Sequence, residues 1–489
     1  MRRRRTTAHE KGVECQQGGC HVKDRIDTRA ASRTTSVILD ASQAPPSVAP
    51  GIGKHVWENL TQAEHPVARP LLVWRTPMNI VYERCAGLDV HKRSVTACAS
   101  TPDAKGQRHK ERESFSTMTP DVLRLRQWLT ARGVTHVALE STGVYWQPIY
   151  AVLEEHFELL LVNAQHIKAV PGRKTDVKDA EWLADLLQHG LLRPSFVPSA
   201  SQRQVRELTR YRTSLSEERC RAVNRLQKIL EGANIKLASV ASDVMGVSAR
   251  AMLEALLQGE GDPRSLAQLA RGRMRSKRDL LAQALEGHFT AHHRFLIQEQ
   301  LAHIDSLDET IAQLSREIAE RLRPFETQLK HLETIPGIKR RLAEVILAEI
   351  GADMSRFPSA RHLASWAGMC PGNHESAGKR LSGRTRKGSP WLRTALVEAA
   401  HAAIHTKNCY LSAQYHRLSL RRGGKKATIA VGHTLLVIVY QVLADEKDYE
   451  ELGGNYFDEW DRQAVQKRLV RRLEKLGYEV MLTPTAPAI

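Results

Sequence analysis

Cys85-Ala86-Gly87-Leu88-Asp89-Val90-His91, followed by Ser94-Val95-Thr96-Ala97-Cys98-Ala99, is the stretch on which the fold turns. Both runs are short and apolar, and a polar step separates them, which predicts two strands joined by a tight turn. Working outward, Arg112 to Ser116 predicts a third strand. Thr119-Pro120-Asp121 opens a helix to Arg132, with Pro near its first turn and Gly133 just past its end. Thr135 to Glu140 is a short apolar strand that ends on a carboxylate, and Trp146 to His156 is helical. Glu158 to Val162 is another strand, and Asp176 to His189 is a helix stopped at Gly190. Three strands followed by alternating helix and strand predict a mixed sheet flanked by helices, an α/β domain over residues 78–200.

On the N-terminal side, residues 1–77 are rich in Arg, Thr, Ser, Ala and Pro and have no sustained periodicity. They read as a disordered extension or an over-long reading frame, since Met78 stands just before the first strong strand pattern. Cys15, Cys20 and His21 fit no standard zinc spacing. On the C-terminal side the pattern turns helical over 201–328. Val205, Leu208, Leu215, Ala222, Leu226 and Ile229 recur at helical spacing. Ile297, Ile304, Ile311 and Ile318 repeat every seventh residue, with Leu307 and Leu314 between them. That heptad seam predicts helical arms packed as a coiled coil, within one chain or between subunits, with an ordinary helical bundle as the alternative. The third unit, 329–447, begins with Ile335-Pro336-Gly337-Ile338 and a helix, a pattern similar to a helix–hairpin–helix, where backbone N–H groups grip phosphate. A loop from Gly368 to Ser389 follows, dense in Gly, Ser, Lys and Arg, and then helices over Trp391–His405 and Lys426–Asp445. Residues 448–489 carry a basic helix from Arg462 to Leu476 and a tail.

The whole chain has 489 residues, about three times the ~150 of an average domain, so two to four folded units are expected. Lys and Arg number 72 against 54 Asp and Glu, a net charge of +18 that favours a polyanionic partner. A nucleic acid fits better than a membrane, because no stretch approaches the ~20 uninterrupted apolar residues of a spanning helix. The longest, Ile429 to Ala444, is interrupted by Gly432, His433, Thr434 and Gln441 and reads as a buried helix. Arg2 to Arg5 are followed by polar sequence, so no signal peptide is read there. Seven scattered cysteines suggest a reducing cytoplasm without a disulfide framework.

Four carboxylates stand out as candidates for chemistry. Asp89 lies on the first strand, Glu140 ends a later one, and Asp176 and Asp179 are three apart, on one face of a helix. If they converge they repel one another and need cations, and hard oxygen ligands select Mg²⁺ or Mn²⁺. Two such ions can stabilise the attacking and leaving oxygens of a phosphodiester exchange. Each acid taken alone reads more readily as a surface or capping residue, with Asp176 a reasonable N-cap, and only the ordered set in an α/β frame brings the metal reading level. Of their neighbours, His91 and Lys92 read as groups near a scissile strand. Tyr145 and Trp146 could stack on a base or pack in the core, and Cys370 reads as packing.

Gly87-Leu88-Asp89-Val90-His91-Lys92, Glu140-Ser141-Thr142-Gly143 and Thr175-Asp176-Val177-Lys178-Asp179-Ala180 together resemble the DEDD transposases of insertion-sequence family 110, with an overall look similar to its 1111 subgroup. Ile335-Pro336-Gly337-Ile338, Ala364-Ser365-Trp366-Ala367-Gly368 and Ser376-Ala377-Gly378-Lys379 resemble that family's second domain. The resemblance spans about residues 80–480 and leaves 1–77 outside it. It implies a RuvC-like domain of RNase H fold whose metal-binding quartet is Asp89, Glu140, Asp176 and Asp179. It implies a nucleophilic serine, by position Ser376, and a covalent serine–DNA intermediate guided by a structured bridge RNA that pairs with donor and target DNA. It further implies a tetramer in which each active site joins the RuvC-like domain of one subunit to the serine domain of another, with 201–325 as the assembly region.

The chemistry of these groups is consistent with that division of labour. A serine hydroxyl needs a base or a metal to become nucleophilic, and a phosphoserine link conserves phosphodiester energy. Lys379, Arg380, Arg384, Arg386 and Lys387 are the expected phosphate contacts. Two alternatives stay open at the level of sequence. One is a metal-dependent nuclease or junction resolvase in which water attacks. The other is a nucleic-acid-binding protein without catalysis. A bacterial, cytoplasmic, nucleoid-associated enzyme acting as a dimer or tetramer is the expectation.

Overall fold

The computed structural model describes residues 79–103, 105–141, 143–163, 179–372, 374–376 and 378–483. The expectations for residues 1–77, the Cys15, Cys20 and His21 group among them, lie outside the described residues, as does Asp176. The chain divides into two compact units, which within the described residues are 79–197 and 198–483.

The first unit is a five-stranded mixed sheet. Its strands are β1 (Cys85–Val90), β2 (Ser94–Pro102), β3 (Arg108–Ser116), β4 (His136–Glu140) and β5 (Glu158–Val162), in the spatial order β3-β2-β1-β4-β5. The first three form an antiparallel meander, and the His91 N–H donates to Ser94 O at 2.9 Å to close its first turn. β4 and β5 join parallel to β1. The connections supply α1 (Thr119–Ala131) and α2 (Trp146–Leu153), and α3 (Asp179–Gln188) follows β5.

Strand alternation sorts the side chains into two layers. Ala86, Leu88, Val137 and Leu139 face one way and pack with Val122, Leu125 and Leu129 of α1 and Ile149 and Leu153 of α2. Cys85, Ala138 and Val162 face the other way, onto Leu183, Leu186 and Leu187 of α3. At the sheet edge, β3 reads Arg-His-Lys-Glu-Arg-Glu-Ser-Phe-Ser, a charged edge of the kind that discourages pairing with another chain.

Among the described residues the second unit is helical apart from one small hairpin. Its longest elements are α4 (Ala200–Gly232) and α5 (Ala291–Leu322). They pair antiparallel. Arg321 Nη1 donates to Gln204 Oε1 at 2.8 Å near one end, and Arg219 Nη2 donates to Asp308 Oδ2 at 3.0 Å further along. Ile297, Ile304 and Ile318 of the heptad series are buried, while Ile311 and Leu314 are half-buried against the same core. Leu215, Leu226 and Leu230 of α4 and the short helices between the two arms complete that core.

Beyond α5 lie α6 (Arg340–Ile350), α7 (Pro390–Ile404) and α8 (Gly424–Asp445). Gly337, at φ +86°, turns the chain into α6, and a Cβ there would stand 2.2 Å from Ala399 O of α7. α8 is long and apolar enough to cross a membrane by length and composition alone. Val431, Leu435, Leu436, Val439 and Val442 are nevertheless buried inside this unit, as expected of a core helix.

Candidate functional site

The site in the first unit is built by one close approach. Gly87, in the middle of β1, lies under α3, and a Cβ at this position would stand 2.2 Å from Ala180 O and 2.5 Å from Ala184 N. Only glycine lets the helix backbone settle this near the strand. Asp89 follows two residues later, so its side chain leaves the same face of the sheet as Gly87. In the parallel register Leu88 pairs with Leu139, so Asp89 and Glu140 are the next residues of neighbouring strands, at their carboxyl ends. Glu140 shares a face with Ala138, which packs on α3. Asp179 is the first residue of α3. The fold therefore brings Asp89, Glu140 and Asp179 to one face and one end of the sheet, all three half-buried. The carboxyl ends of parallel strands are where ligands bind in open α/β sheets.

The donors offered are carboxylate oxygens, the chemistry that suits Mg²⁺ or Mn²⁺. Among the described residues no three His, Cys, Asp or Glu side chains stand close enough together to hold an ion. His91 Nε2 lies 3.1 Å from Asp89 Oδ2, with the imidazole largely exposed and the carboxylate mostly covered. The histidine is thus a direct neighbour of the acid. Lys92 is exposed. Trp146 packs on the core and meets the Tyr150 ring edge-on at 5.5 Å, whereas Tyr145 stays partly exposed.

Three interactions that hold α3 were not legible beforehand. Lys110 of β3 donates to Glu181 Oε1 at 3.1 Å and to Asp185 Oδ2 at 2.8 Å. Partial burial works against the charged amine, but the bonds to Asp185 and Glu181 outweigh it and raise its pKa. Ser100 Oγ donates to Gln188 Oε1 at 2.8 Å, buried under the far end of the helix. Cys85 and Cys98, both buried at the α3 face, have thiol pKa values pushed up by burial to about 11.

Ser376 lies in the second unit. The expected Gly368–Ser389 loop contains a short antiparallel hairpin, β6 (His374–Ser376) and β7 (Lys379–Ser382). Ser376 pairs with Lys379 across its tip, and Gly378 sits at φ +73° in the turn. Lys379, Arg384, Arg386 and Lys387 are exposed around it, and Arg380 lies on β7. Cys370 is half-buried with a free thiol.

The base of the hairpin is closed firmly. A Cβ on Gly388 would stand 2.2 Å from Ala367 O, so the two ends of the loop touch through backbone. Arg393 of α7 reaches back, donating to Arg386 O and Thr385 Oγ1 at 2.9 Å each and also to Gly368 O. Ser389 caps α7 by accepting from the Leu392 N–H, and its own hydroxyl donates to Glu349 Oε2 at 3.0 Å. Glu349, at 1% side-chain exposure, also accepts from Arg210 Nε at 2.7 Å and Arg210 Nη2 at 3.0 Å. A second buried pair, Arg212 Nη1 to Glu344 Oε2 at 2.7 Å, joins the same two helices, α4 and α6.

Two family models match this chain. One, described as Transposase and of the DEDD type of IS110, covers residues 86–235. The other, described as Transposase IS116/IS110/IS902 family, covers residues 329–417. The first contains the carboxylates and the second contains the serine hairpin. Among the relatives is a Pseudomonas aeruginosa protein named "Probable family 20 transposase", 25% identical over 320 residues, 64% of this chain and 85% of that one. The 44.8 kDa protein of insertion element IS116 from Streptomyces clavuligerus is 29% identical over 278 residues, 50% of this chain and 68% of that one. A pilin gene-inverting protein of Moraxella lacunata is 25% identical over 382 residues, 75% of this chain and 97% of that one.

Proposed function

Because the chain is, by two family models and its relatives, a transposase of the IS110/IS116/IS902 family, we propose that it exchanges DNA strands through a covalent link between Ser376 and DNA, guided by a structured RNA. The observation that supports the carboxylate part of this reading is the seating of α3 on Gly87, which leaves Asp89, Glu140 and Asp179 on one face at one end of the sheet. The strand order β3-β2-β1-β4-β5 supports an RNase H-like, RuvC-like domain. Asp89, Glu140, Asp176 and Asp179 would hold Mg²⁺ or Mn²⁺. Such an ion, when bound, polarises a phosphate and lowers the pKa of a hydroxyl.

The Ser376 Oγ forms a bond to phosphorus, one phosphorus–oxygen bond to a DNA sugar breaks, and the departing sugar hydroxyl receives the proton that the serine gives up. In the second step a hydroxyl of another DNA strand attacks the phosphoserine and returns a proton to Ser376. No phosphodiester energy is spent, so no nucleotide cofactor is needed. Lys379, Arg380, Arg384, Arg386 and Lys387 lie along the hairpin chain and its flank, and they would hold phosphates of the scissile strand. Arg393 keeps the base of that hairpin closed.

Donor and target DNA are the substrates, and the Moraxella relative, named for gene inversion, supports recombination beyond insertion alone. The enzyme would act in the bacterial cytoplasm as a homo-oligomer. The arm formed by α4 and α5 would be the assembly region, and each active site would draw its carboxylates and its serine from different subunits.

Two measurements test this proposal. Asp89→Asn should lose strand exchange while keeping DNA binding; a variant that exchanges strands normally would refute the carboxylate assignment. Sequencing of RNA that co-purifies with the protein should return a discrete transcript from beside its own gene. Random cellular RNA would refute guidance.

A further inference from the structure

The second family model ends at residue 417, and the chain beyond it completes a feature that neither model covers in full. A groove of about 720 Å³ runs between the helix Tyr410–Arg422 and the C-terminal helix Arg462–Glu474. Arg417 and Arg421 line one wall, and Arg468 and Arg472 line the other. Asp458 and Asp461 also line it, leaving an excess of two positive charges. Arg417 stacks over the Phe457 ring at 5.1 Å from its centroid. Arg422, Lys425 and Lys426 continue the positive run from the first wall, all exposed.

The C-terminal helix buries none of its side chains, and five of its thirteen residues are basic: Arg462, Lys467, Arg468, Arg471 and Arg472. Among the described residues no carboxylate forms an ion pair with Arg421, Arg468 or Arg472. Guanidinium groups on opposite walls of one groove match a phosphodiester backbone, which carries a charge at every step and accepts bidentate bonds.

We infer that this groove holds the phosphate backbone of duplex DNA flanking the exchange site, as a clamp separate from the serine hairpin. The inference rests on the family's DNA substrate, and it adds a contact surface that needs no chemistry at Ser376. Sequence should not matter here, because phosphate contacts position a duplex without reading it.

The test is fluorescence anisotropy of the full-length protein on one labelled duplex DNA and on one labelled single-stranded RNA, across a salt series. The variant R468E/R472E is compared with R273E/R275E, which makes the same change in net charge at exposed arginines away from the groove. Groove reversal should weaken duplex binding at least tenfold more than the control. It should also make the slope of log affinity against log salt shallower by about 2, the value for two lost phosphate contacts. Equal losses in the two variants would overturn the clamp. A loss on the RNA as large as that on the duplex, or confined to the RNA, would overturn the assignment to DNA. Strand exchange is not read in this experiment, so failure of the serine chemistry leaves its outcome unchanged.

Discussion

Gly87 and Ala180 meet through backbone: a methyl group on Gly87 would stand 2.2 Å from the Ala180 carbonyl oxygen. That contact sets the height of α3 above the sheet, and with it the position of Asp179 relative to Asp89 and Glu140. The obstruction is main chain, so a side-chain rotation cannot relieve it.

Gly87→Ala should therefore push α3 outward. Overpacking costs about 1–3 kcal/mol where neighbouring side chains can yield, and a main-chain obstruction puts this substitution at the upper end of that range or above it. Strand exchange should fall far more than stability does. Chemical denaturation and a recombination assay on the same preparation check the pair, and a Gly87→Ala protein with full activity would show that the seating of α3 does not matter.

Lys110 holds α3 from the side through Glu181 and Asp185. Lys110→Met keeps the stem and removes the charge, leaving two carboxylates facing each other on the helix. The expected result is reduced exchange with unchanged DNA affinity, plus a steeper response to divalent-ion concentration as the acids lose their alignment. Lys110→Arg should restore part of the activity. Loss of DNA binding in Lys110→Met would instead point to a phosphate contact.

The buried thiols set a limit at high pH. In the unfolded chain Cys85 and Cys98 ionise near 9, but in the fold burial holds both protonated to about 11. Between these values the unfolded state has lost protons that the native state keeps. Stability is therefore full below pH 9 and falls as pH rises toward 11, by roughly 1.4 kcal/mol per pH unit for each thiol. Thermal melts at pH 8, 9, 10 and 11 should show this loss, and C85A/C98A should flatten it. At neutral pH, alkylation read by mass spectrometry should mark half-buried Cys370 well before Cys85 or Cys98.

Glu349 ties α6 to Arg210 of α4 and to Ser389 at the root of the serine hairpin. Burial already pushes the neighbouring Arg206 down to about 10, against the opposing pull of Glu349. Glu349→Ala leaves Arg206 and the partly exposed Arg210 without their counter-charge, a change that costs about 3 kcal/mol once solvent screening of Arg210 is allowed for. Urea unfolding of the full chain should show a loss of this size, with Glu349→Gln falling between the two. A change under 0.5 kcal/mol would show that the network is not holding these helices.

Much of the first unit was legible in the sequence because its buried strands carry their own periodicity. β1, β2, β4 and β5 lie where the apolar runs are. β3 begins at Arg108, four residues before the expected Arg112, because a charged edge strand carries no apolar signal to mark its start. α2 stops at Leu153 rather than His156, where the chain turns to bury Phe157. The hairpin within Gly368–Ser389 was read as loop, since its strands are three and four residues of polar chain. The heptad isoleucines do share a buried seam, although Ile311 is only half covered.

Of the site, Asp89, Glu140 and Asp179 were legible as acids on strand and helix ends, while their common face depended on register and on Gly87. The ties made by Lys110, Arg393 and Glu349 were not legible at all. Glu349 and Arg210 are separated by 139 residues, and no local pattern marks two side chains that meet only when the chain has folded.

The central claim is that Ser376 becomes bonded to DNA. The direct measurement is a denaturing gel of the protein incubated with labelled donor and target DNA, its co-purified RNA and Mg²⁺. The expected result is a protein–DNA band that survives denaturant, yields a phosphoserine peptide containing Ser376 on digestion, and vanishes in Ser376→Ala. A Ser376→Ala protein that still cleaves and joins DNA at the normal rate would contradict it.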